Sequence, residues 1–266
     1  MKDSVQIGNV TGPLEYLTVK GLRQPRIKFV DPATLDDAFI DELYEMYHPY
    51  FNTGRAEFFD RMRHQINNLA LFYSPCGDEL VGFNGLRLGR FELQDGRSAM
   101  TVYLGLAIII PEWRGRLLVQ RMVIRMFLEL RWLDPTDPIF VWCDALTVRP
   151  FLVASRYLSE YYPAPNVETP EHIQELRRRL GETYYSDTFD PERCVVKKAS
   201  RKVKQHELSL QDRDDPLVQY YVECNPGYID GDGLIIIQPA TFENLWFFIK
   251  LMSGRTAKKM LTGLIA

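Results

Sequence analysis

From Met100 to Ile110 the chain runs eleven residues without a charge and then meets Pro111. It is the longest apolar strand-like stretch, and it leaves water only with a sheet beside it and other elements covering it. The sequence around it supplies both. Arg26 to Val30 alternates as a first strand. Thr34 is read as the N-cap of a helix, with Asp37 three residues on. Leu35, Phe39, Ile40, Leu43, Tyr44 and Tyr47 then share one face up to the stop at His48-Pro49. A second helix is expected from Arg55 to Asn67. Leu69–Tyr73 and Leu80–Leu88 form a hairpin about Ser74-Pro75-Cys76-Gly77-Asp78, and Asp95-Gly96 turns the chain into Met100–Ile110. A helix is expected at once from Glu112 to Trp132. After the break at Asp134-Pro135-Thr136-Asp137-Pro138 come a short buried strand, Ile139–Cys143, and a helix, Val148–Leu158, with Pro150 in its first turn.

The flanks read differently. Residues 1–25 are broken by Gly8, Gly12, Pro13, Gly21 and Pro25 and are expected to form an extended arm. Residues 164–215 are polar, with a helix from Thr169-Pro170-Glu171 and the basic run Lys197–Lys204, read as a solvated face. Val218–Cys224 and Leu234–Gln238 are expected as two late strands joined through Asn225-Pro226-Gly227 and the turn at Gly231-Asp232-Gly233. From Thr241 to Met252 an aromatic helix is apolar almost all round, which favours burial against the sheet. A membrane-surface or homodimer contact is the lesser reading of that helix. The fold class expected is mixed α/β: strand, two helices, three strands, helix, strand, helix, then two strands.

Composition removes several functions. With 32 Lys+Arg against 35 Asp+Glu the net charge is −3, which gives no electrostatic footprint for nucleic acid. A hydrophobic fraction of 46% rules out wholesale disorder. No uncharged stretch approaches the roughly 20 residues of a membrane helix, so no integral membrane contact is expected. The opening Met1-Lys2-Asp3-Ser4 has no basic flank leading into an apolar run. Cys76, Cys143, Cys194 and Cys224 are scattered without CxxC spacing. The expected setting is cytoplasmic and reducing.

Chemistry is best placed where Met100–Ile110 meets the next helix. A helix start presents unpaired backbone N–H groups and the positive end of its dipole, an anion site, and Arg114 and Arg116 flank it. An ordinary strand–helix junction with solvated arginines is the bland reading of the same pattern. Pro111-Glu112-Trp113-Arg114-Gly115-Arg116, with its strand and helix, resembles the acyl-CoA pyrophosphate loop of the GNAT acyltransferase superfamily. Thr147-Val148-Arg149-Pro150-Phe151 through Arg156–Pro163 is similar to that family's second cofactor-proximal segment. The resemblance covers residues 26–163 and 217–238. It implies one GNAT-like domain over 26–240 with an insertion at 164–215 before the final hairpin, and a tail, 241–266, packed on it.

The resemblance further implies an acyl-CoA, such as acetyl-CoA, as co-substrate, and a primary amine, on a small molecule or a peptide, as acceptor. Arg114, Gly115, Arg116, Leu117, Leu118 and Val119 would cradle the pyrophosphate, and the strand edge at Ile108 and Ile110 would pair with the pantetheine arm. The family loop is written Q/R-x-x-G-x-G/A, so Leu117 and Val119 stand where small residues let the backbone approach. Many members carry a carboxylate on the strand before the loop, and this chain has none between Asp95 and Glu112. Asp144 is then the nearest candidate base, or a turn residue, and Tyr103 is a second candidate on its strand. The family's thiolate-protonating tyrosine falls in register with Ser155, and Tyr157 two residues on is the candidate donor. A catalytically inactive acyl-CoA-binding or regulatory module is the alternative. No metal is expected, because His48, His64, His172 and His206 are dispersed. Cys143 reads as a buried free thiol.

Overall fold

Pairing partners for that apolar strand come from the N-terminal half of the chain. The computed structural model describes residues 25–75, 77, 79–93, 96–197, 201–204 and 214–251. It divides into two compact units, one of Met1–Pro138 with Ala199–Gln205, the other of Ile139–Lys198 with His206–Ala266. The expected arm, apart from residue 25, and the tail beyond residue 251 lie outside the described residues.

In the first unit β1 (Arg26–Val30), β2 (Asn68–Tyr73), β3 (Leu80–Glu92) and β4 (Ser98–Ile109) make an antiparallel ladder in that order. The hairpins form where turn residues gather: Ser74 N donates to Glu79 O at 2.9 Å, and Leu93 N to Arg97 O at 2.7 Å. α1 (Asp37–Tyr47) ends at His48 as expected, but Thr34 does not cap it. Asp31 and Pro32 start a separate short turn over Pro32–Thr34, and the carboxylate of Asp36 accepts from Phe39 N at 2.8 Å. The second helix is also shorter than expected. α2 covers Arg55–Asp60, and the next turn, Arg61–Gln65, widens to a π turn closed by Ile66 N donating to Arg61 O. The widened turn buries two consecutive side chains, Arg61 and Met62.

Part of the basic run is not a solvated face. Residues 201–204 lie along 50–52, with Asn52 N donating to Lys202 O, Lys204 N to Tyr50 O, and Arg201 only 1% exposed. α3 (Leu118–Leu133) completes the unit, and Arg125 on it donates to Ile27 O and to Glu129.

In the second unit β5 (Ile139–Ala145) pairs antiparallel with β8 (Gly233–Pro239), β8 with β7 (Val195–Val196), and β7 with β6 (Phe189–Asp190). The partner of β8 therefore comes from the segment read as an insertion. Val218–Cys224 is not a strand: Pro216–Cys224 is α6, with Asp215 accepting from Leu217 N at 2.8 Å and Pro216 in the first turn. Cap and proline outweigh the β-leaning Val-Gln-Tyr-Tyr-Val run, because the helix buries Val218 and Tyr221 against Phe151, Leu234 and Ile236. Residues 225–232 accordingly join a helix to a strand and are not a hairpin turn. α4 (Val148–Tyr157) and α5 (Glu171–Tyr185) flank these strands, and Arg177 of α5 is buried with two N–H groups on Ile235 O.

The aromatic helix is present as α7, residues 242–251, but it is not buried all round. Phe242 and Trp246 are 62% and 67% exposed. A polar anchor replaces the expected apolar face. Buried Asn244 accepts from Ser159 N, Ser159 Oγ and Glu160 N and donates to Glu160 O and Pro239 O.

The class is mixed α/β. The expected order strand, two helices, three strands, helix, strand, helix is observed from β1 to α4.

Candidate functional site: an uncapped helix start and a buried carboxylate

Near the far end of β4 its ladder with β3 is interrupted. Phe83 pairs with Ile108 and Gly85 with Gly105, so Asn84 alone faces Leu106 and Ala107. Leu106 has φ +51°, a left-handed value that a branched side chain resists. Beyond this bulge Ile108 is buried and Ile110 half-buried.

The expected helix from Glu112 does not form at once. Pro111–Trp113 is a single 3-10 turn, closed by Arg114 N donating to Pro111 O. Arg114 is extended, Gly115 has φ +77° and Leu117 φ +59°, and only then does α3 begin. Gly115 is the one position in this corner whose positive φ suits its residue.

The result is an open helix start. Leu117 occupies the N-cap position with no side-chain hydrogen bond, and no acid lies in the first turn of α3. Among the described residues, the amides of Leu117, Leu118, Val119 and Gln120 have no acceptor. Arg121 N is the first to donate, to Leu117 O at 2.9 Å. Such a terminus carries about half a positive charge, and here nothing negative answers it. Arginines add to it. Arg114 donates Nε to Ile109 O at 3.0 Å with its guanidinium 4.9 Å above Tyr50, and Arg116 lies 4.2 Å above Trp113. Both residues are exposed. Arg121, which sequence reasoning missed, is half-buried, and burial alone holds its guanidinium below the usual value. Its signal was legible: a first turn where Asp or Glu belongs carries Arg instead.

Of the expected loop residues, Arg114, Gly115, Arg116, Leu117 and Val119 line this corner with open side or main chains. Leu118 offers only its amide, because its side chain is 1% exposed in the core. Leu117 and Val119 are half-buried.

Tyr103 sits apart from the corner. It is buried, its ring under the Arg87 guanidinium at 4.7 Å and folded across Gly105, where a Cβ would come within 2.3 Å of it.

In the second unit Asp144 is the penultimate residue of β5, 7% exposed, and Tyr185 Oη donates to its Oδ2 at 2.8 Å. Tyr185 closes α5, in the stretch read as an insertion, and no spacing in the sequence pairs it with Asp144. Burial and the neighbouring Asp144 push the Cys143 thiol up to about 12, so it is no nucleophile near neutrality. Ser155 donates its hydroxyl to Leu152 O at 3.2 Å. Tyr157 is half-buried, its ring 6.0 Å from that of Phe248. Among the described residues no group of His, Cys, Asp or Glu could hold a metal ion, and no helix is long and apolar enough to cross a membrane.

No protein-family model matches this sequence, and no curated protein matches it. Solved structures similar to part of the chain include a conserved protein of unknown function and probable N-acyltransferase from Enterococcus faecalis V583. It is 15% identical over 52% of this chain and 32% of that one, with a TM-score of 0.37. An IAA acetyltransferase from Bacillus cereus ATCC 14579 is 10% identical over 52% and 80%, with a TM-score of 0.33. A Bacillus subtilis acetyltransferase in complex with CoA is 13% identical over 52% and 80%, with a TM-score of 0.34. Likenesses this remote carry no functional argument.

Proposed function

We propose that this protein is an acyltransferase that moves an acyl group from an acyl-CoA to a primary amine. One observation carries the reading: the start of α3 has open amides, no cap and no acid, in a stretch whose sequence carries Arg114, Arg116 and Arg121. That arrangement suits a diphosphate better than any neutral group, because main-chain N–H groups and guanidinium forks both match phosphate oxygens. The order of elements leading to the corner is the one the GNAT resemblance implies, which favours CoA over other diphosphates.

The residues fit that carrier in part. Leu117 to Gln120 would supply amides, and Arg114, Arg116 and Arg121 charge-assisted contacts. Leu117 keeps a side chain where closer approach would strengthen binding. Ile108 lies near the end of β4 and Ile110 just past it, before the corner, where an extended amide-bearing arm could run alongside the strand.

Transfer itself requires the amine nitrogen to attack the thioester carbonyl carbon, the C–S bond to break, the amine to lose a proton and the sulfur to gain one. Asp144 is our candidate for accepting the amine proton. Its carboxylate is held at Oδ2 by the Tyr185 hydroxyl. Tyr157 is the candidate donor to sulfur. Tyr103, buried under Arg87, supports the strand instead of reaching substrate. Binding without turnover is the second reading, favoured by a β4 that carries no carboxylate from Ser98 to Ile109.

Thermal shift with CoA, acetyl-CoA and longer acyl-CoAs, then thiol release against an amine panel, tests both. Stabilisation with thiol release supports transfer, and stabilisation without release selects the binding module. No response to any CoA ester refutes the two together.

A further inference from the structure

Asn84 is fully buried in the middle of β3, and its side chain bonds across to β4. Nδ2 donates to Gly105 O at 2.7 Å and to Gly85 O at 2.9 Å, which uses both amide protons. Its Oδ1 is buried with no hydrogen-bond partner. Exchanging the two atoms would aim an oxygen at two carbonyls, so the orientation is fixed by its surroundings.

Two unfavourable features thus sit side by side. One is the stranded acceptor, and a buried polar atom without a partner destabilises a core. The other is Leu106 with φ +51°, one residue beyond the carbonyl that Asn84 grips. A regular pairing with an apolar residue at position 84 would remove both at once. Strain of this kind persists where the surroundings impose it, and it gathers at sites where main-chain groups must be aimed. The surroundings here do impose it: Tyr103 lies across Gly105, leaving no room for a Cβ, and Asn84 holds the Gly105 carbonyl from the other strand. Outside the ladder the bulge presents Ala107, which is exposed although both its neighbours are buried.

We propose that Asn84 is a positioning residue that sets the main-chain direction of β4 at Leu106 and Ala107, just ahead of the stretch assigned to the acyl-CoA arm. The inference rests on the acyl-transfer reading for its consequence and on the β3–β4 geometry for its structure. Asn84 touches no substrate. It holds the Gly105–Leu106 peptide so that the Leu106 and Ala107 main-chain groups face outward, next to Ile108.

The test uses the full chain with Asn84→Leu, which removes the donors and the stranded acceptor together, and with Leu106→Gly, which relaxes the positive φ while keeping the bulge. In folded Asn84→Leu, kcat for thiol release falls on the order of 10- to 100-fold, while KM for the acyl-CoA stays within about threefold. Leu106→Gly, in which Asn84 still holds the Gly105 carbonyl, keeps the wild-type exchange rate at Ala107, and should Asn84→Leu fail to fold, Asn84→Ser gives the same split. A structural role alone would lower activity only in step with the folded fraction, and that result overturns the inference. Amide hydrogen exchange at Leu106 and Ala107 reads the geometry independently of activity. Exchange at Leu106 and Ala107 that changes from the wild-type rate in Asn84→Leu, while the neighbouring β4 amides keep theirs, supports the inference even if the wild type releases no thiol, a result that would refute the acyl-transfer reading alone. Unchanged exchange overturns the inference whether or not the protein transfers acyl groups.

Discussion

Replacing Leu117 by glycine should tighten CoA binding with little change in stability. Leu117 holds φ +59° and ψ +32° at the N-cap of α3, a conformation that costs an L-residue roughly 1–2 kcal/mol. Glycine removes that strain but adds about 0.5–1 kcal/mol of unfolded-state entropy, and a half-buried side chain is lost as well. These effects nearly cancel, so the melting temperature should move by no more than about 4 °C. The gain lies in access. With the side chain gone, a phosphate oxygen reaches the Leu118 and Val119 amides more closely, and a gain of about 1–1.4 kcal/mol corresponds to roughly five- to tenfold tighter binding. Leu117→Ala separates the two effects, because it opens the same space while retaining the positive φ. Calorimetric titration of wild type and both variants with CoA gives the answer. If wild type binds CoA and Leu117→Gly binds it equally or more weakly, the open amides are not the phosphate site.

Other consequences follow from the same geometry. Arg116→Gln and Arg121→Gln should each weaken CoA binding about 3- to 10-fold, with a smaller loss at high salt, measured by titration at two ionic strengths. Asp144→Asn should lower amine acylation on the order of 10²-fold or more and leave CoA affinity unchanged, whereas Tyr185→Phe should cost less because the carboxylate survives; steady-state kinetics and calorimetry report the two separately. Asp134 is held down to about 2, chiefly by its hydrogen bond from Arg90, with the Asp137 amide second. A carboxyl lowered on folding stabilises above its ordinary pKa and loses that contribution as pH falls from about 4 to about 2. Arg90→Gln should therefore cost about 1 kcal/mol at pH 7 and flatten acid unfolding in that window, as followed by circular dichroism.

Much of the first unit was legible because its signals are local. The turn chemistry between Tyr73 and Leu80, the uncharged run ending at Pro111 and the stop at His48-Pro49 each specify one conformation by themselves. The failures have distinct causes. Val218–Cys224 carries strand-like composition, and only the pair Asp215-Pro216 ahead of it announces a helix. The turn at Arg61–Gln65 widens to a π turn, which no residue spacing in the sequence announces. Arg201 looked like part of a solvated basic run, yet it is buried in the unit built on residues up to Pro138. In the candidate site the sequence named the corner at Arg114–Val119 but not its geometry. Positive φ at Leu117 has no signature in a leucine, and the resemblance alone placed a glycine there. Tyr185 beside Asp144 and Asn84 behind Leu106 are long-range pairings across 41 and 22 residues, which no local spacing reports.

Titrating the isotope-labelled protein with CoA and following its backbone amides tests the central claim most directly. A diphosphate seated on α3 predicts saturable shifts concentrated at Leu117 to Gln120. Binding that shifts amides elsewhere and leaves those four unmoved, or no binding at millimolar CoA, would contradict it.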